Sequence, residues 1–594
     1  MPHARVTRIS AAIAVLLSAS ASIHAQTALT EPQRTADLNQ LAGFYAKNYA
    51  PYEWKRDLFG IDLLRLNDWF QAIHKTDDLD FQEVLIDYAA SLNDAHVGVS
   101  FPSNFDAALP LRFDIYDGRV LIDAIDRTAL PLAQFPFGIG DELIAFDGIP
   151  VRDAIAALAK YAQVGVPQIT DRLAADLLTF RSQNFFPHAP DLGDTAALRI
   201  RLDSSGVQNT WLVPWFKSGT PITSQGPVPS PGRRPYRLTR AATAAPAADD
   251  VAEAPLPRSR YRGADTGVVD DTLPGYMEPL RPLLNAALTR APEGVLNFGT
   301  KTPVYAMPPG FVRRRGGPSS DFFLTGVFPA GGRTIGYIRI PSFSPPSTSV
   351  ALQQLDQEIA FFTANTDGLV VDVMRNPGGN IVFGDSILQR LMPSPFRTLG
   401  FEIRATATWL AAFANSVEAA QLSNAPPQII SNLQNNFAEV LRAYQEQRGR
   451  SAPVALNPTG SVTLTPNAVR YTKPLLVLID EFSASAADMF AAIVQDNQRG
   501  PLFGMRTMGA GGSVRNYQAT AYTESSFSIT VSLANRGRIV QTSDYPPAPY
   551  IENIGVRPDI LQNYMTRENL MSAGTPFVQA FSTAIVNLIQ TGVW

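Results

Sequence analysis

Three short runs of aliphatic and β-branched residues in the second half of the chain place the strongest constraint on its fold. They are TIGYIRI at 334–340, GLVVDVM at 368–374 and PLLVLID at 474–480, and segments with helical spacing of apolar residues separate them. Near-continuous apolar strands are typical of sheets that helices cover on both faces. The alternation therefore predicts an α/β domain over 273–594, interrupted by a mainly helical insertion at 403–449.

The first half of the chain follows other patterns. Apolar residues at helical spacing predict an N-terminal helical region over 26–100, with its clearest helix beginning at Asp80 in a capping box with Glu83. Short strand-like runs with glycine turns predict a β-rich module over 101–216. The segment 217–272 is dense in proline, alanine, glycine and serine, so we expect a linker or regulatory segment there.

The first 25 residues have the pattern of a secretory signal peptide. Arg5 and Arg8 precede a short apolar core at 9–21, and residues 23–25 form a small-residue cleavage pattern before Gln26. A membrane anchor is disfavoured, because the apolar run is shorter than the roughly 20 residues that span a bilayer. No later segment is apolar enough to cross a membrane, so we expect an exported bacterial protein, periplasmic or extracellular.

The composition excludes several functional classes. A net charge of -4 gives no basic surface for nucleic acid. The absence of cysteine removes disulfides, thiolate metal sites and a cysteine nucleophile. Beyond the signal peptide only His74, His96 and His188 remain, which disfavours a histidine-rich metal site. We therefore predict neither a metal nor another cofactor.

The segment FSASAADMF at 482–490 joins a predicted buried strand to an amphipathic helix. Ser485 lies at this junction among small residues, at a helix N-terminus whose unpaired N–H groups favour negative charge. The N–H group of Ala486 is placed to stabilise an oxyanion. Two alternatives remain: Ser485 and Asp488 also form a capping box, the more frequent use of such a pair, and Ser483 is a second candidate nucleophile. The segment is not a G-x-S-x-G elbow, which disfavours an α/β-hydrolase.

Three further segments have the residues that a serine hydrolase needs. His96, in NDAHVGVSF, is the best placed base, because His74 lies in a polar run and His188 in a proline-flanked loop. Glu552, in PYIENIGVRPDI, is a carboxylate that would orient an imidazole, unless it is a surface glutamate. The Asn-Pro-Gly-Gly sequence at 376–379 follows a predicted strand and is either a simple turn or a close backbone approach to a ligand.

Six motifs together resemble the carboxyl-terminal-processing, or tail-specific, serine peptidase family. They are DAHVGVSF, GDELIAFDGIPV, DVMRNPGG, FSASAADMF, RTMGAGGSV and YIENIGVRP, and they follow the family's order over about 94–560. The resemblance implies an α/β, ClpP/crotonase-like protease domain with a PDZ-like module and an N-terminal helical region. Residues matched to the PDZ-like module are Gly140, Asp141, Asp147 and Gly148.

One motif departs from the family pattern. Many members use a Ser–Lys dyad whose lysine lies in a T-x-G-K-G motif, whereas Ala510 has that position here and no lysine follows Lys473. A chlamydial subgroup of the family also lacks this lysine and has a Ser–His–Glu triad. Resemblance to that subgroup implies His96 as the base, Ser485 rather than Ser483 as the nucleophile, and Glu552 as the group that orients His96.

The resemblance also implies an oxyanion hole made by the N–H of Ala486 and that of Gly378 or Gly379. The expected function is that of an exported serine endopeptidase that cleaves protein or peptide substrates through an acyl-enzyme. The alternative, suggested by the missing lysine, is a non-catalytic peptide-binding protein on the same fold. By analogy with the subgroup, we expect a possible homodimer and a self-cleaved regulatory segment within 217–272, where Arg233 and Arg234 lie.

Overall fold

The computed structural model describes residues 28–74, 76–222, 268–269, 298–518 and 520–593. The predicted signal peptide lies outside the described residues. So does nearly all of the predicted regulatory segment, including Arg233 and Arg234.

Four helices and one strand form the N-terminal region. They are α1 Glu31–Asn48, α2 Tyr52–Phe59, α3 Asn67–Ile73, α4 Asp78–Ala90 and β1 Gly98–Ser100. The predicted start of α4 was wrong by two residues, because the helix begins at Asp78, with Asp77 rather than Asp80 as its cap. Asp77 has an extended backbone, and its carboxylate accepts the Asp80 N–H at 2.8 Å. The apolar face of α4 is buried as expected.

The β-rich module follows. Its elements are β2 Asp106–Ala108, β3 Leu111–Tyr116, β4 Arg119–Ile125, β5 Glu142–Phe146, β6 Ile149–Pro150, α5 Val151–Leu158, α6 Pro167–Leu177, β7 Phe180–Ser182, β8 Thr195–Arg201, β9 Gln208–Pro214 and β10 Phe216–Ser218. One sheet has the order β3-β4-β5-β8-β9 with β6 paired to β5, and a smaller one has the order β10-β2-β7. Asp147 and Gly148 have positive φ angles and form the tight turn between β5 and β6.

The remaining elements build the α/β domain. The strands are β11 Val268–Val269, β12 Val312–Arg315, β13 Leu324–Ala330, β14 Arg333–Arg339, β15 Gly368–Asp372, β16 Phe396–Arg397, β17 Gly400–Ile403, β18 Thr463–Leu464, β19 Leu475–Ile479, β20 Leu502–Gly504, β21 Val514–Gln518, β22 Ser526–Thr530, β23 Ser532–Val540, β24 Ala548–Tyr550 and β25 Ile560–Leu561. The helices are α7 Thr348–Asn365, α8 Ile381–Leu391, α9 Ala407–Leu422, α10 Pro427–Gln445, α11 Ala486–Asp496, α12 Arg567–Met571 and α13 Thr575–Thr591.

A seven-stranded sheet forms the centre of this domain, in the order β12-β13-β14-β15-β19-β20-β25. The neighbours from β14 to β25 pair in parallel, and every residue of β15 and β19 is buried. Alternate residues of these strands face two helical layers: Leu369, Val371 and Val477 pack with α7, α8 and α11, whereas Val370, Leu476 and Leu478 pack with α13. The α/β prediction is therefore confirmed. None of the helices in the described part of the chain is both long and apolar enough to cross a membrane.

Strand pairing joins the N-terminal region to the α/β domain. β1 pairs with β22 in an antiparallel register that sets Gly98 opposite Ser528, within a sheet of order β1-β22-β21-β11. The apolar side chains of α1 and α4 belong to the same core as those of α7, α8 and α11. The turn that carries His96 is thereby fixed against the C-terminal third of the chain.

A buried ion cluster joins the β-rich module to the α/β domain. Arg172 on α6 binds Asp114 of β3 through two bonds of 3.0 and 2.7 Å, and it also binds Glu481 in the turn before α11. Arg375, in the turn after β15, pairs with Asp480 at 3.3 Å. Because Arg375 precedes the Gly-Gly turn and Glu481 precedes Ser485, this cluster positions both turns.

Replacing Arg172 by methionine should strongly destabilise the protein, because the buried Asp114 and the largely buried Glu481 would lose the cation that bonds both of them. Breaking a buried ion pair typically costs about 3–5 kcal/mol. Urea unfolding should show a correspondingly lower midpoint. Arg199→Met is the matched control, since the Arg199 side chain is exposed and bonds only Gln208 among the described residues, and its effect should be below about 0.5 kcal/mol. Equal midpoints for the two variants would contradict this role for Arg172.

Candidate active site

Ser485 occupies a strained turn between β19 and α11. Its φ and ψ angles are 54° and -116°, although an N-cap residue ordinarily has an extended backbone. A non-glycine residue in this region costs about 1–3 kcal/mol, and such strain concentrates at functional sites. The backbone geometry therefore favours a functional role for Ser485 over a simple cap.

The carboxylate of Asp488 holds this turn in place. It accepts the N–H groups of Ser485 at 2.8 Å, Gly509 at 2.9 Å and Ala510 at 3.1 Å. Burial raises the pKa of Asp488 to about 6, although a bond from Thr507 and these N–H groups act in the opposite direction. The predicted capping box of Ser485 and Asp488 is present. Its Asp488 carboxylate also ties the serine turn to the segment where the family's lysine would lie.

Ser483 has a structural role. It is fully buried, and its hydroxyl donates to the Val373 carbonyl at 2.8 Å. The same oxygen accepts the Asp480 N–H at 3.0 Å. A hydroxyl committed to two backbone groups is not available for attack, so Ser485 is the better candidate of the two.

His96 lies in the turn between α4 and β1 and is fully buried. Its backbone N–H donates to Asp94 at 2.8 Å, and Asp94 in turn accepts the hydroxyls of Tyr49 at 2.8 Å and Thr530 at 2.9 Å. Neither ring nitrogen of His96 has a hydrogen-bond partner among the described residues. Burial lowers its pKa to about 4; nearby Lys55 acts in the same direction and Asp94 in the opposite one. The imidazole is therefore neutral at pH 7, as a general base must be.

Glu552 is also fully buried, so it is not a surface glutamate. One carboxylate oxygen accepts the Lys55 ammonium at 2.5 Å and the other accepts the Gly511 N–H at 2.8 Å. Burial, with Asp94 as a second contribution, raises the pKa of Glu552 to about 7, although Lys55 and Gly511 favour the ionised form.

The side chains of Asp94, His96 and Glu552 lie close together. Donor atoms of Asp94, His96 and Glu552 all lie within 4.8 Å of one another. Such residue types can bind a metal, but here hydroxyl, ammonium and N–H groups of the protein already bond the two carboxylates. This donor set suits proton transfer to and from His96 better than metal binding, and the absence of a metal or other cofactor stays a prediction.

The Gly-Gly turn lies directly against Ser485. A side chain at Gly378 would place its Cβ 2.6 Å from the Ser485 Cβ and 2.7 Å from the Ala484 carbonyl oxygen, so only glycine fits. The Gly378 N–H donates to the Asn376 side chain at 2.8 Å. The Gly379 N–H, by contrast, has no acceptor in the part of the chain that the structure describes. The backbone of the Gly-Gly turn thus approaches Ser485 closely, which a simple turn would not require.

Sequence reasoning missed three residues of this site: Lys55, Asp94 and Tyr49. Asp94 was part of a motif but had no role assigned, and its spacing of two from His96 was the available signal. Lys55 and Tyr49 had no local signal, because their partners lie far away in the sequence.

Comparison with known proteins shows which families and relatives parts of the chain resemble. Residues 334–561 match peptidase family S41, and residues 106–215 match a PDZ domain. A protein of Chlamydia trachomatis is 27% identical over 590 residues, which cover 92% of this chain and 92% of that protein. A carboxyl-terminal-processing protease of Synechocystis is 25% identical over 183 residues, which cover 30% of this chain and 29% of the protease.

A solved structure shows the same fold. The structure of mature CPAF complexed with lactacystin superposes with a TM-score of 0.71 at 22% identity, covering 94% of this chain and 99% of that chain. The two matched domains define a serine-type peptidase with a PDZ domain. The predicted family, the protease fold with its PDZ-like module, and the enzyme class are confirmed.

An Asp488→Asn protein should be less stable than wild type by about 1–3 kcal/mol, measured by urea unfolding. An amide nitrogen accepts no hydrogen bond, so at least one of the three buried N–H groups would lose its acceptor. Asp153→Asn, at an exposed position of α5, is the matched control and should cost less than about 1 kcal/mol. Unchanged stability of Asp488→Asn would show that this carboxylate does not hold the serine turn.

Proposed function

We propose that the chain is an endopeptidase that cleaves protein or peptide substrates through Ser485, His96 and Glu552. The observation that carries the proposal is the meeting of His96 and Glu552 from opposite ends of the chain, with donor atoms within 4.8 Å. The strained backbone of Ser485 and the fit of the Gly-Gly turn against it support the same assignment.

The chemistry follows from these groups. His96 takes the proton from the Ser485 hydroxyl as the serine oxygen bonds to the scissile carbonyl carbon. When the carbon–nitrogen bond breaks, His96 returns that proton to the leaving amine, and an acyl-enzyme remains. Water then attacks the ester with His96 again as the base, which releases the acid product and restores Ser485. Glu552, within 4.8 Å of His96, stabilises the imidazolium that forms. In the resting structure it bonds neither ring nitrogen, so its role in fixing the tautomer stays a prediction.

We assign the oxyanion hole to the N–H groups of Ala486 and Gly379. Ala486 is the first residue of α11, so its N–H has no acceptor within the helix. Gly379 is preferred to Gly378 because the Gly378 N–H already donates to Asn376. Gly378 then has a steric role, in which its missing side chain admits the turn beside Ser485.

Export to the periplasm or beyond the cell, a homodimer and self-cleavage within 217–272 stay predictions from the sequence. The alternative of a non-catalytic peptide-binding protein on the same fold is an outcome of the labelling experiment that follows.

Ser485→Ala and Ser483→Ala provide a matched pair. The mature chain, beginning at Gln26, is treated with a fluorophosphonate probe and assayed on casein as an unfolded substrate. Ser485→Ala should abolish labelling and lower turnover by about 10⁶-fold, as expected when the nucleophile is removed. Ser483→Ala should lose stability but still react with the probe. Labelling that survives in Ser485→Ala contradicts the assignment, and a folded wild-type chain that binds peptides but never labels would favour the non-catalytic alternative.

The pH profile of kcat/KM provides a second test, because it reports the groups of the free enzyme. Below its pKa of about 7, Glu552 is neutral and cannot stabilise the His96 imidazolium, whereas His96 itself stays unprotonated above about 4. Activity should therefore rise with pH through a midpoint near 7 rather than near 4. Glu552→Gln should remove this rise and lower kcat by about 10⁴-fold. A midpoint near 4 would show that ionisation of Glu552 does not limit the reaction.

A further inference from the structure

We propose that Lys55, on α2, is a positioning residue of the active site that keeps Glu552 ionised and holds it beside His96. This inference rests on the proposed function, since it gives Lys55 its role through the Glu552–His96 pair. The family's Ser–Lys dyad is not its precedent, because the lysine of that dyad is matched by Ala510 and Lys55 lies in the N-terminal region.

The ammonium group of Lys55 is buried and uses all of its hydrogen-bond donors. Its side chain is fully buried, and its ammonium donates to the Glu552 carboxylate at 2.5 Å, the Asn93 carbonyl at 2.6 Å and the Asn553 side-chain oxygen at 2.7 Å. An ammonium group has three donors, and all three are used. Lys55 is thus not a free base for Ser485, and its buried charge is compensated by Glu552.

The acceptors of Lys55 join two distant parts of the site. Asn93 lies in the same turn as His96, and Asn553 follows Glu552. Asn93 and Asn553 also bond each other, at 2.9 Å, and both have left-handed backbones with φ angles of 51° and 62°. Lys55 therefore fixes the base and its carboxylate relative to each other.

The charges around Glu552 explain why a cation is needed there. Lys55, Asp94, His96 and Tyr49 face it, and Lys55 is the basic side chain that bonds it directly. Two buried carboxylates within 4.8 Å repel each other, so without Lys55 one of them would bind a proton. A protonated Glu552 would no longer stabilise the imidazolium that forms during catalysis. Lys55 also disfavours the protonated form of His96, which works against formation of the imidazolium. Because Lys55 contacts Glu552 directly, we expect its stabilisation of the Glu552 carboxylate to be the larger effect on catalysis.

The test compares Lys55→Met and Lys55→Gln, which remove the charge, with Lys55→Arg, which keeps it. Lys47→Met, at an exposed position of α1, is the matched control. The measurement is kcat/KM on an unfolded protein substrate from pH 5 to 9.5. In Lys55→Met and Lys55→Gln the midpoint should move upward by about one unit or more, which lowers kcat/KM at pH 7 by about fivefold for the first unit and roughly tenfold for each further unit. Lys55→Arg should keep the wild-type midpoint, and Lys47→Met the whole profile.

Two outcomes would overturn the proposal. One is a wild-type midpoint in both neutral variants. The other is the same fractional loss at every pH in the neutral variants and in Lys55→Arg, which is what a packing role alone produces. Lys55→Gln keeps a side chain that can donate to Glu552, so it covers the case in which Lys55→Met does not fold.

Carboxyl ¹³C NMR separates this proposal from the proposed function. The Glu552 resonance, assigned by its loss in Glu552→Gln, is titrated in wild type and in the Lys55 variants. A higher titration midpoint in the neutral variants supports the role of Lys55 even if the wild-type chain neither labels nor cleaves, a result that would contradict only the triad. An unchanged midpoint overturns the proposal whether or not the chain is active.

Discussion

The ion pair between Lys55 and Glu552 is the interaction on which the arrangement of the site depends. Removing two charges from water is costly unless each meets a partner with good geometry. Here the partners come from α2 and from the segment after β24, so the carboxylate is satisfied only when the N-terminal region is packed against the α/β domain. Asp94 imposes the same requirement, because its partners are Tyr49 and Thr530. The arrangement of the site therefore depends on the packing of the N-terminal region against the α/β domain.

A second buried ion cluster links the PDZ domain to the turns of the site in the same way. Arg172 enters from α6 and meets Glu481, in the turn that ends at Ser485, while Arg375 binds Asp480 beside it. The same buried ion cluster thus holds the serine turn, the Gly-Gly turn and the PDZ domain together. Both turns contain left-handed backbone, at Ser485 and Arg375, and such strain persists only where the surroundings over-determine the conformation.

The sequence predicted those parts of the fold that depend on local pattern. Apolar strands alternating with helices indicated the α/β domain, because a strand that is buried on both faces is a near-continuous run of apolar residues. Choosing Ser485 over Ser483 needed the motif set, and the structure adds a physical reason, since the Ser483 hydroxyl bonds two backbone groups. The choice between Gly378 and Gly379 depended on where one N–H points, which sequence does not encode locally. Lys55 was missed because a single lysine in a short amphipathic helix has the same pattern whether it is solvated or buried.

The pairing of β1 with β22 has a consequence for how the enzyme is made. His96 is encoded before residue 100 and Glu552 close to the other end, so neither reaches its environment until almost the whole chain has left the ribosome. Contacts of such long sequence separation form late, because loop closure must precede them. A partly synthesised chain therefore lacks the proposed catalytic centre. If that centre carries the activity, the topology delays proteolysis until synthesis is essentially complete.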